Sequence, residues 1–268
     1  MFKEKNKKTP SQISTDHHDI MSDHFKRNYA YYDQDKYYNA FTYGRSKIDN
    51  ELIKLIKVLP KNSKVLDLGC GTGDQLNILN KFNMEFYGVD PAPGMVEIAR
   101  QKFNTKDRIK LGVAQKIPFE DNYFDCLIMI EVLRYFDRED INTALKESFR
   151  VLKPGGKIFC TFVNKWSLDF FYLLQNLRQL LKKKKFDEKN PYCEFFEPKK
   201  VIKIYNDFNF KNIEIIGNMF SPLRIAYKIN RKFGRYLSIK LDDFDDKISN
   251  KKFFKMFSGH LIGIGEKD

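Results

Sequence analysis

The sequence predicts an α/β protein, a mostly parallel sheet covered by helices on both faces. Three observations carry this prediction. From Lys64 to Val163, continuous apolar runs alternate with segments whose apolar residues recur at helical spacing. The runs are unbroken rather than alternating, the pattern of strands buried on both faces. A glycine-rich turn, "LGCGTGD" at 68–74, stands between the first run and the first helix, where α/β sheets meet their ligands. At 268 residues, the chain suits one large domain able to bury a substantial core.

Taken in order, residues 1–22 are polar and are expected to form a disordered tail. "MFKEKNKKTPSQ" lacks the apolar stretch of a secretion signal. Residues 23–60 read as a helical N-terminal cap. His24–Lys47 is rich in tyrosine without strand alternation. Apolar residues at 48, 52, 55, 56 and 59 then mark an amphipathic helix stopped by Pro60.

Residues 61–165 hold the alternating core. "KVLDLG", "MEFYGVD", "RIKLGVA", "YFDCLIMI" and "KIFCTFV" read as strands. "DQLNILNKF", "PGMVEIARQKF" and "DREDINTALKESFRVL" read as the intervening helices, the last with Asp137 as N-cap. Residues 166–268 continue the same domain. A long amphipathic helix over 166–185 ends in four lysines, which suit a helix C-terminus. A helix enters at Pro198, "NIEIIGNM" and "HLIGIGEK" read as late strands, and 219–257 form a basic, aromatic insertion between them.

Composition narrows the class. Cys70, Cys126, Cys160 and Cys193 form no CxxC pair, and four scattered histidines suggest no zinc site. Reduced thiols and the absence of long apolar runs predict a soluble, cytoplasmic protein. The net charge of +13 is lopsided: residues 150–268 carry 25 basic against 13 acidic side chains, and residues 1–149 are nearly neutral. A basic half is compatible with nucleic acid, anionic lipid or an acidic substrate, and equally with a lysine-rich solvated surface.

The glycine turn narrows the ligand. A dinucleotide fingerprint would place glycine at 74, but the residue is Asp74, and a carboxylate at that helix mouth repels a diphosphate. Asp90, 17 residues beyond Gly73, ends the second strand, where an acid can accept both ribose hydroxyls. A ligand with a ribose, a positive charge and no phosphate fits, and S-adenosylmethionine (AdoMet) has all three features.

The motifs "VLDLGCGTG", "GVDPAPGMVEIAR", "IPFEDNYFDCLIMIEVLRYF" and "ALKESFRVLKPGGKIF" resemble, in order and spacing, those of class I AdoMet-dependent methyltransferases. The resemblance covers roughly residues 30–165. It implies a Rossmann-like, doubly wound, seven-stranded sheet with the last strand antiparallel and AdoMet over the strand ends. It also implies residue roles. Gly69, Gly71 and Gly73 would approach the methionine and ribose, and Asp67 would orient the turn or the amino group. Asp90, followed by Pro91, would take the ribose hydroxyls. Met95, Ala114, Gln115 and Ile117 would lie about the adenine, although Asp67 as a turn cap and Met95 as core are plain alternatives. Ile130 would offer its carbonyl to the methionine ammonium, and Tyr37 and Arg45 would close over the carboxylate. Where such proteins often carry an acid for the adenine amino group, this chain has Val113, so Gln115 or packing must substitute.

The acceptor is a separate question. The segment "IEVLRYF" after the fourth strand lacks both the Asn/Asp-Pro-Pro-aromatic run of amino-methylating DNA enzymes and the Pro-Cys nucleophile of cytosine-C5 enzymes. Nucleic acid then rests on charge alone. Methyl transfer draws most of its rate from proximity and alignment, with a base needed only for certain acceptors. Candidate pocket residues are Tyr38, Tyr43, Glu131, Arg134, Tyr135, Asn164 and His260, with no metal. The aromatic, basic later half favours a small apolar or anionic acceptor, among them quinones and lipids, and its basic faces suit peripheral contact with an anionic membrane.

Overall fold

A computed structural model of the chain describes residues 8–168, 177, 192–219 and 223–268. Seven strands form one sheet: β1 Lys64–Leu68, β2 Glu85–Asp90, β3 Ile109–Leu111, β4 Phe124–Met129, β5 Leu152–Val163, β6 Phe210–Asn218 and β7 His260–Lys267. Their order is β3-β2-β1-β4-β5-β7-β6. β7 alone runs against the direction of the other six, antiparallel to β5 on one side and to β6 on the other. The expected doubly wound, seven-stranded architecture is therefore present.

Strand side chains alternate between the two faces. On one face Leu66, Leu68, Leu127 and Met129 pack with Ile141 and Leu145 of α6 (Arg138–Val151) and with Val201 and Tyr205 of α7 (Pro198–Asp207). On the other, Val65, Cys126, Ile128 and Phe159 pack with Leu52 and Ile56 of α3 (Ala40–Val58). Leu76 of α4 (Asp74–Lys81) and Val96 of α5 (Pro93–Phe103) complete that face. Both faces are dry, which is why the strands read as continuous apolar runs. All four cysteines are unbridged and buried. Among the described residues, no helix is long and apolar enough to cross a membrane.

The N-terminal tail departs from expectation. Pro10–Ile20 form helix α1 and Ser22–Gln34 helix α2. Thr9 and Gln12 make a reciprocal capping box, and Pro10 occupies the first helical position, where its missing N–H costs nothing. Asp19 accepts a hydrogen bond from the Gly94 amide at 2.7 Å, pinning α1 to the start of α5. The polar composition that suggested disorder instead faces a cavity. Most of the helix expected over 166–185 lies outside the described residues. The late insertion holds α8 (Leu223–Ile229) and α9 (Arg231–Ser249), the latter capped by the Asn230 side chain.

Candidate functional site

A cavity of about 590 Å³ opens over the C-terminal ends of β1, β2 and β4. The glycine turn forms its floor. Gly69, Gly71 and Gly73 all adopt left-handed conformations, with φ of 83°, 53° and 81°. Their reasons differ. A Cβ on Gly69 would lie 2.3 Å from Val132 Cγ2, and one on Gly73 2.8 Å from Phe103. A Cβ on Gly71 would meet nothing within 4 Å. Gly71 is thus the glycine whose missing side chain leaves room for a ligand, while the other two leave room for the protein itself.

Asp90, at the tip of β2, accepts the Gly71 amide on one carboxylate oxygen and the Ala92 amide on the other, each at 2.9 Å. It ties the turn to the next loop and keeps lone pairs for two more donors. Burial pushes its carboxyl up to about 6, with the Ala92 and Gly71 bonds pulling the other way. Asp74, which also lines the cavity, accepts from the Thr72 hydroxyl at 2.6 Å and from Lys102 at 2.8 Å. Asp67 sits in β1 outside the cavity lining, and its Oδ2 is buried without a hydrogen-bond partner. Burial pushes the Asp67 carboxyl up to about 8, despite the pull of Arg45. Gln75 Nε2, on the cavity wall, is likewise buried without a partner.

The opposite end of the cavity holds a charged constellation. Register pairs Met129 with Cys160 and Val163 with His260, so the end of β4 and the start of β7 meet at one edge. Glu131, just past β4, sits at φ 62°. Its amide donates to the Thr161 hydroxyl at 2.8 Å, which holds this unfavourable conformation. The Glu131 carboxylate lies 3.1 Å from His260 Nε2 and accepts from Arg134 Nη1 at 2.7 Å. Burial works to raise its pKa, but His260 and Arg134 hold it well below the usual carboxylate range.

A methyltransferase domain model matches residues 66–160, the segment that builds this floor. Over 142 residues the chain is 34% identical to a demethylmenaquinone methyltransferase of Staphylococcus aureus, covering 51% of this chain and 58% of that relative. A Thermotoga maritima structure described as an AdoMet-dependent methyltransferase, possibly acting on histamine nitrogen, superposes with TM-score 0.58 and 18% identity, covering 94% of this chain and 99% of that one. Residues 66–160 thus resemble a methyltransferase domain, set in a fold shared with solved AdoMet-dependent methyltransferases. The geranyl diphosphate C-methyltransferase of Streptomyces coelicolor shares the fold at TM-score 0.54 and 11% identity, covering 82% of this chain and 79% of that one.

The fold brings together Arg45, Gly69, Gly71, Asp90, Pro91 and Met95 on the cavity wall, with Ala114, Gln115 and Ile130. Glu131, Arg134, Tyr135 and His260 line its other end. Met95 is both lining and core, since it is also buried. Val113 is 44% exposed and lines the rim.

Other expected residues fall elsewhere. Tyr37 does not line the cavity. Its hydroxyl donates to Asp242 of α9 at 2.7 Å, so it anchors that helix. Tyr38 stacks on Tyr31, and Tyr43 is buried against Tyr37, Met219 and Leu223. Asn164 spends its amide on the carbonyls of Met256 and Ser258, at 2.9 and 2.8 Å, holding the approach to β7. Ile117 is core, and Gly73 packs beneath the turn.

The face of α1 was missed altogether. Ser11, Ser14, Thr15 and His18, at helical spacing, line the cavity. His18 has its ring 5.0 Å from Tyr135, edge to face. Burial pushes the imidazole down to about 4. The signal was present in "TPSQ" at 9–12, a capping box with proline at the first turn.

Proposed function

We propose that the protein binds AdoMet over the glycine turn and transfers its methyl group to a small acceptor held between Glu131, Arg134 and His260. One observation carries this reading: a single cavity joins the Gly71–Asp90 floor to the Glu131–His260 end. The open space above Gly71 and the unpartnered Gln75 Nε2 fit a polar ligand seated on the turn. Asp90 would receive the ribose hydroxyls, Arg45 the carboxylate, and Ile130 the ammonium. Ala114 and Gln115 would border the adenine.

When bound, AdoMet supplies an electrophilic methyl carbon on a positive sulfur. The chain's own residues orient the acceptor and exclude water. Glu131, held ionised, is a weak base, but it positions the His260 ring beside the acceptor end. His260 would receive a proton from a hydroxyl or carbon acceptor, with the charge that develops stabilised by Glu131. Arg134 and Arg224 at this end favour an acceptor with anionic or carbonyl oxygen.

A quinone or other lipid acceptor is the favoured refinement. The relative matched at 34% identity is a demethylmenaquinone methyltransferase. Val132, Phe136 and Met219 add apolar wall beside the charged groups. Calorimetric titration with AdoMet, its demethylated product and NAD tests the cofactor: micromolar NAD binding without AdoMet binding overturns the reading. Labelled AdoMet incubated with soluble metabolites, lipid extract, RNA and DNA tests the acceptor. Label confined to nucleic acid would refute a small acceptor.

A further inference from the structure

The helices that wall the acceptor end carry a second surface. α8 turns Arg224 toward the cavity and Ile225 and Ile229 away from it, Ile229 being 72% exposed. α9 then packs on α8 through a narrow stripe, Gly234, Leu237, Ser238 and Leu241. Phe233, Tyr236, Lys240, Phe244 and Lys247 follow at i, i+3, i+7, i+11 and i+14, which places them on one outer face. Phe233, Tyr236 and Phe244 are 47%, 58% and 50% exposed. Three large aromatic rings half in water on a single helix face mark a contact surface rather than scattered exposure.

The charges of α9 are sorted across the helix. Asp242 turns inward to the buried Lys47, to Tyr37 and to Lys36. Asp246, 57% exposed, has its charge met by Lys47 at 2.7 Å, and Asp245 is buried. Asp243 is the acid left on the outer face, among exposed Lys232, Lys240 and Lys247. Lys251 and Lys252 continue the exposed basic run beyond the helix, beside Phe253. Inward acids and outward cations leave a face at once apolar and positive. That combination fits the interface of an anionic bilayer, where rings enter the headgroup layer and ammonium groups meet lipid phosphates.

We propose that the outer face of α9, with the tip of α8, docks the protein on an anionic lipid surface and turns the acceptor end of the cavity toward it. This rests on the reading of the cavity as a methyl-transfer site with a lipid-soluble acceptor, but the docking is measured without any acceptor. The probes are vesicles of phosphatidylcholine alone and of phosphatidylcholine with phosphatidylglycerol, sedimented with the full chain. Binding is expected to the second and not the first, and to weaken as salt rises. The triple variant Lys232→Glu/Lys240→Glu/Lys247→Glu is expected to bind about tenfold or more weakly. Phe233→Ser/Tyr236→Ser, which leaves the charge unchanged, is expected to weaken binding as well. Both variants should keep the wild-type melting temperature and AdoMet affinity, since none of these side chains lines the cavity. Failure of AdoMet binding would sink the functional reading while leaving the vesicle result to stand. Absence of vesicle binding, equal binding to both vesicles, or capture of RNA in preference to vesicles would overturn the docking proposal.

Discussion

Asp90, proposed to receive the ribose, already holds the fold with both of its carboxylate oxygens. Its two bonds to Gly71 and Ala92 mean that alanine would also orphan buried amides. Asp90→Asn is the milder change, since it keeps one of the two acceptor oxygens and the side-chain volume. It should weaken AdoMet binding by about 1.5–3 kcal/mol, read by calorimetry. An unaltered Kd would place the ribose elsewhere. Asp67 lends itself to a pH experiment. Folded, it keeps its proton to about 8, whereas its ordinary value is 3.8. Between these values the native state binds the extra proton. The stability it contributes is therefore full below the lower value and lost as pH rises through the upper one. Asp67→Asn cannot ionise. Its melting curve without ligand should draw ahead of wild type from about pH 5 to pH 8, by a few degrees at the upper end. Parallel curves would show that Asp67 titrates as an ordinary aspartate.

At the scale of the element, the glycine turn predicts two different failures. Gly69→Ala drives a methyl into Val132, so it should lower stability by about 1–3 kcal/mol beyond the backbone strain. Gly71→Ala carries only the strain, about 1–2 kcal/mol, yet its methyl enters the ligand space. It should stay folded and lose AdoMet binding. Thermal melts and calorimetry on both variants separate the roles, and identical behaviour would dissolve the distinction. Helix α1 offers another element-scale test. Thr9→Ala removes its cap, worth about 1 kcal/mol. Because α1 roofs the cavity without joining the sheet, the global melt should barely move while AdoMet dissociation quickens in a stopped-flow chase. An unchanged rate would mean that α1 plays no part in retention.

At the scale of the whole molecule, the site is assembled from distant parts of the chain: α1, α3, the ends of three strands, α8 and the start of β7. A ligand bridging them should stabilise the fold as one unit. AdoMet at about a hundredfold over its Kd should add about 2.7 kcal/mol and raise Tm by roughly 5 °C or more, with NAD raising it little. A null shift with AdoMet would argue against the shared cavity as its site.

The sheet was legible because its strands are dry on both faces and its turns demand glycine, constraints that act within a few residues. "HLIGIGEK" is strand β7 residue for residue, and Asp137 caps α6 as its position suggested. The cavity floor was legible for the same reason, since a turn, a helix start and a strand tip lie close in sequence. What the local pattern could not decide was partnership across the chain. Tyr37 and Arg45 stand eight residues apart, yet only Arg45 lines the cavity, because Asp242, some two hundred residues later, takes the Tyr37 hydroxyl. His260 gained its carboxylate from Glu131 only when the antiparallel β7 slid in beside β5. The polar N-terminus looked unable to support a fold by composition, and it folds because other elements provide a surface for it. Local sterics and hydrophobic period are written along the sequence. Which charge meets which across the sheet edge is settled by packing alone.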